Sequence, residues 1–171
     1  MTQPWKLWML RMLRRAVAFV VAAFVLVGLG SVTSAYFVQR AWSSAAGLAD
    51  GAAPAAIPFA DRISWAAHDI SGMFLLYCPL TAIALLVAFL IAGALAHFIG
   101  FRMFIFGLAG ALALFALFTI LRNVLGSVGV FGARGAAALA GQMLVGAIAG
   151  VLFARLTASG NLASPSIKRT A

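Results

Sequence analysis

The apolar positions of this chain gather into four long runs, separated by short stretches of small, polar or basic residues. The most organised stretch is Pro58 to Phe98. It opens as PFADRISWAAHDISGM, in which Ile63, Ala66 or Ala67, Ile70 and Phe74 share one helical face. Asp61, Trp65, His68, Asp69 and Gly72 share another. The stretch passes without a break into FLLYCPLTAIALLVAFLIAGALAHF, and no Lys, Arg, Asp or Glu occurs between Asp69 and Arg102. This pattern predicts a single helix, a membrane span over 73–98 with an amphipathic foot at one surface. Asp61 suits the positive end of the helix dipole. Pro79 removes one backbone hydrogen bond and predicts a kink that neighbouring helices must cover. Beyond it, Ala84, Ala88, Ala92 and Ala96 form a small-residue stripe for close packing.

The remaining runs predict spans over 16–37, 103–121 and 135–156, each near the about 20 apolar residues that cross a bilayer. Residues 1–15 interleave Trp5, Trp8, Met9 and Met12 with Lys6, Arg11, Arg14 and Arg15, the pattern of a short interfacial segment. A basic start and small residues near Thr33 and Ala35 also permit a cleaved signal peptide. The apolar run is longer than the usual central region of such a signal, which favours an uncleaved anchor. Gly30 and Ser34 make a small face on the first span. Residues 38–57, rich in Ala, Ser, Gly and Pro, predict a mobile loop. The few residues from His97 to Arg102 predict an antiparallel hairpin between the second and third spans. On the third span Gly107 and Ala111 offer a small face, whereas Phe104, Phe106, Phe115 and Phe118 read as packing or lipid-facing residues. The connection RNVLGSVGVFGAR carries Gly126, Gly129, Gly132 and then Gly135. It lacks the lysine and strand context of a phosphate-binding loop and predicts a turn at the membrane surface. On the fourth span Gly146, Gly150 and Ala154 form a small-residue ridge, with Gln142 one turn earlier. A glutamine at that depth predicts a hydrogen bond to another helix. Residues 158–171 are polar and predict a disordered tail.

Composition turns these patterns into a class. The chain is 65% hydrophobic and 9% charged, with a mean hydropathy of +1.11. A soluble domain is about half apolar and a quarter charged. The expected fold is therefore all-α, an integral membrane four-helix bundle in which the second helix extends amphipathically beyond the bilayer. The 12 basic and 3 acidic residues give a net charge of +9. With four spans, Lys6, Arg11, Arg14, Arg15, Arg102, Arg155, Lys168 and Arg169 fall on one side without an acid. Arg40, Arg62, Arg122 and Arg134 fall on the other with Asp50, Asp61 and Asp69. The positive-inside rule then predicts cytoplasmic termini and contact with anionic lipid on that side. The foot of the second helix then falls on the side opposite the termini, which is periplasmic if the membrane is a bacterial inner one. No basic stretch has the setting of a nucleic-acid site.

Little chemistry is offered. The single Cys78 cannot form an internal disulfide. Asp61 and Asp69 lie two turns apart with His68 beside Asp69, the only titratable cluster in the chain. Without a nucleophile, it reads as a solvated surface helix forming ion pairs with Arg122 or Arg134. In particular, Asp69 is expected to pair with Arg134 or Arg122, with Arg62 as an intrahelical alternative. His68 and His97 are 29 residues apart, about 43 Å along an unbroken helix, so they cannot jointly hold a haem within one chain. No metal or cofactor is expected, and no enzymatic activity.

The segments DRISWAAHDISGMFLLY and GARGAAALAGQMLVGAIAGVLFARLT resemble an uncharacterised family of small four-span bacterial inner-membrane proteins. The resemblance covers about residues 58–157. It implies the four-span architecture, and it implies no activity and no functional residues. Two classes of function are left. One is a non-enzymatic scaffold or accessory subunit, as a homo-oligomer or beside a membrane-protein partner. The other is a small transporter or channel for an apolar or lipid-like molecule, because the spans lack the ionisable groups of polar transport.

Overall fold

A computed structural model describes residues 4–50, 58–125 and 135–158. Four α-helices account for nearly all of them: α1 (Pro4–Asp50), α2 (Phe59–Ile99), α3 (Arg102–Leu125) and α4 (Ala136–Ala158). In lipid every backbone amide and carbonyl must find a partner within the protein, and a continuous helix supplies one for each away from its ends and from Pro79. All four helices contain an apolar window long enough to span: Trp8–Ala41, Tyr77–Ile99, Arg102–Val124 and Ala136–Ala158. The protein is a multi-pass membrane protein with an all-α four-helix bundle.

The helices run up and down. Each packs on its neighbour in sequence, and α4 closes the ring against α1. The α2–α3 hairpin turns on Gly100, whose φ of 83° lies in the left-handed region that glycine alone enters freely. Its amide donates to the Ala96 carbonyl at 3.2 Å, ending α2. The amide of Arg102 donates to the Gly100 carbonyl at 2.8 Å as α3 begins.

Across the ring, α2 and α4 run parallel and meet through long side chains. Phe89 stacks on Phe153 with centroids 4.6 Å apart, and Phe106 of α3 meets Phe89 edge-on at 5.6 Å. Leu26, Leu85 and Leu114 fill the middle of the bundle. Ala92 is buried, and Ala84, Ala88 and Ala96 pack on the same core. The outward surface is apolar, with Phe24, Leu90, Ile91, Phe104 and Leu144 all exposed, as a lipid-facing surface requires. Trp5 and Trp8, also exposed, stand with Lys6 near the start of α1, the composition of a membrane-interface belt.

Two expectations for the first third of the chain are corrected. Residues 4–15 are not a separate interfacial segment, because α1 is continuous from Pro4 to Asp50. Proline at the first turn lacks only an amide that has no helical partner, and no other breaker occurs before Gly28. Residues 38–50 are not loop, because α1 continues through them. They contain no proline, and four alanines favour helix. At about 1.5 Å per residue, this 47-residue helix is about 70 Å long, more than twice the ~30 Å hydrocarbon core. The 41-residue α2 likewise outruns the bilayer, carrying its polar foot on one unbroken helix through Pro79. The expected glycine turn over 126–134, the disordered tail beyond 158 and the rest of the 38–57 loop lie outside the described residues.

Candidate functional site

Three features bring polar or specially shaped residues together. The first is a hydrogen-bond network inside the membrane. Gln142 on α4 is 1% exposed. Its amide nitrogen donates to the Gly30 carbonyl at 3.0 Å and to the Ser34 hydroxyl at 2.9 Å, both on α1. The Tyr77 hydroxyl of α2 donates to the Gln142 amide oxygen at 3.2 Å. One side chain thus fixes three helices in register. Gly30 makes room for this, since a Cβ there would lie 2.8 Å from the Tyr77 hydroxyl. One turn along α2, the buried Thr81 hydroxyl donates back to the Tyr77 carbonyl at 2.7 Å.

The second feature is the seam between α3 and α4. Gly110 and Gly146 face each other so closely that a Cβ on either would strike the other's carbonyl group. Gly150 sits against the Phe106 carbonyl, with a virtual Cβ 2.7 Å from the carbonyl carbon. Ala154 is fully buried one turn further. With little hydrophobic drive between helices in lipid, such backbone approach is the main source of contact.

The third feature is the basic end, where α1 and α3 begin and α2 and α4 finish. The Arg14 side chain donates to the Leu156 carbonyl at 3.0 Å, near the end of α4. Arg102 donates to the Thr157 hydroxyl at 2.6 Å and lies 5.5 Å over the Phe106 ring. A cleft of about 760 Å³ opens here, with Arg15, His97 and Arg102 at its mouth and Phe19 and Phe89 below.

The polar cluster expected from the sequence is at the opposite end. Asp61 and His68 are exposed on α2, and Arg122 is exposed in the last turn of α3. The Asp69 side chain and the whole of Arg134 lie outside the described residues, and with them the expected Asp69–Arg134 pair. The two histidines stand on the single helix α2, His68 towards its start and His97 in its last turn.

Sequence reasoning singled out Gln142, Gly146, Gly150 and Ala154 but neither the partners of Gln142 nor Gly110. The available signal was Gly30 and Ser34 four residues apart, a gap shaped for a polar side chain from elsewhere. The basic cleft had no local signal, because its three polar residues come from three helices. Comparison with protein-family models, curated proteins and solved structures finds no match for the chain.

Proposed function

We propose that this protein is a non-enzymatic scaffold or accessory subunit of a bacterial inner membrane, with both termini in the cytoplasm. The observation that carries this reading is the use made of the intramembrane polar groups. Gln142, Tyr77 and Ser34 bond to one another and to the Gly30 carbonyl, so they hold helices together. The glycine seam closes α3 on α4 and adds rigidity. An apolar exterior around a hydrogen-bonded polar network is suited to standing beside another membrane protein or a second copy. The orientation is supported by the acid-free basic end, and membership of the small four-span family by the two resembling segments. No cofactor and no nucleic acid enters the role.

A second reading, passage of an apolar or lipid-like molecule, is favoured by the cleft at the basic end. Purification of the full chain in mild detergent, with mass measurement and identification of co-purifying chains, separates the two. A defined heteromeric partner is the expected result. A closed homo-oligomer around a central pore would replace the accessory reading with transport.

A further inference from the structure

The cleft at the basic end combines two properties that seldom share a cavity. Its mouth is cationic. Arg15 and Arg102 both line it, and His97 stands beside them. All three acids of the chain, Asp50, Asp61 and Asp69, lie on the last turn of α1 or the first turns of α2, at the other end of the bundle. Two guanidinium groups therefore share one cleft with no Asp or Glu side chain near it among the described residues.

Below the mouth the cleft is apolar. Phe19, Phe89, Phe106 and Phe153 line it, and so does Gly93, which brings no side chain. Leu86 and Leu90 border it on α2, where both are exposed on the lipid side, so the cleft opens sideways into the bilayer. From His97 down to Leu86 is 11 residues of α2, about 16 Å along the axis. That is about half of the ~30 Å hydrocarbon core, the depth of one leaflet.

We propose that this cleft binds one anionic phospholipid, its phosphate between Arg15 and Arg102 and an acyl chain along Phe19, Phe89 and Gly93. Charge complementarity and depth both select this occupant. A zwitterionic lipid brings its own cation to a mouth that already holds two. A free phosphate ion leaves the apolar wall uncovered. The inference rests on the membrane setting alone and is independent of the choice between accessory and transport roles.

The test is native mass spectrometry of the full chain in detergent. It is titrated separately with phosphatidylglycerol, with phosphatidylcholine of the same acyl chains, and with inorganic phosphate. Phosphatidylglycerol should fill one site in preference to phosphatidylcholine, and phosphate alone should not displace it. Arg15→Gln should weaken phosphatidylglycerol binding about fivefold, the worth of one basic residue near anionic lipid. Lys6→Gln, on the same helix but outside the cleft, should change binding much less. Gly93→Leu keeps every charge, and its Cβ meets only the tip of Phe106, at 4.0 Å. It should lower occupancy by putting a side chain into the cleft. Equal binding of the two lipids, displacement by phosphate, equal effects of Arg15→Gln and Lys6→Gln, or full occupancy in Gly93→Leu would each overturn the proposal.

Discussion

Gln142 shows how one polar side chain is accommodated at membrane depth. Its amide nitrogen donates twice to α1, and its oxygen accepts from Tyr77 on α2. An unmet polar group in hydrocarbon costs several kcal/mol. The net effect of such a bond is smaller, because the separated helices also find partners in the membrane. Gln142→Leu and Tyr77→Phe should therefore each lower unfolding stability in detergent by about 1 kcal/mol. The double variant should lose less than the sum, since the Tyr77 bond is gone once Gln142 is removed. Strictly additive losses would mean that the bond contributes nothing. Gly30→Ala should lower stability as well, because its Cβ lies 2.8 Å from the Tyr77 hydroxyl and must displace it.

At the scale of helices, the contrast between glycines is the sharpest test. An added Cβ at Gly146 or Gly150 meets backbone of α3, which cannot swing aside as a side chain can. Gly146→Ala and Gly150→Ala should each destabilise by about 1–3 kcal/mol, the range for overpacking. Gly28 has nothing within 4 Å of a virtual Cβ. Gly28→Ala should be neutral, or stabilising by up to about 1 kcal/mol from helix propensity. Thermal unfolding in one detergent compares all three, and similar melting temperatures for the three variants would remove the seam argument. The sequence carried the spacing of Gly146, Gly150 and Ala154 but not their counterpart. On α3 the choice between Gly107 with Ala111 and Gly107 with Gly110 is open, because three- and four-residue spacings share a helical face. The structure sets Gly110 against Gly146 and leaves Ala111 half-buried. The reach of α1 was illegible for a different reason. Alanine and serine between 38 and 50 are common in loops as well as helices, and no apolar period distinguishes the two there. The basic cleft was hidden because Arg15 and Arg102 are brought together only by the antiparallel ring.

For the whole molecule, the helix order fixes which charges lie together, and these charges decide orientation. Among the described residues, Lys6, Arg11, Arg14, Arg15, Arg102 and Arg155 occupy one end. The three acids of the chain occupy the other, with Arg40, Arg62 and Arg122. Basic residues within about 15–20 residues of a span resist translocation, and acids count for little. The basic end should therefore stay in the cytoplasm. Since α1 starts and α4 finishes there, both termini should share that side. A fluorescent reporter that matures only in the cytoplasm, fused after Ala171, should be bright. A phosphatase active only outside the cytoplasm should be inactive at that position and active when inserted between α3 and α4. The second fusion matters because it tests the span count along with the orientation: an odd number of spans would put the two termini on opposite sides. Phosphatase activity after Ala171 would overturn the assignment. It would also move the cleft of Arg15 and Arg102 to the outer leaflet, without changing the antiparallel ring that forms it.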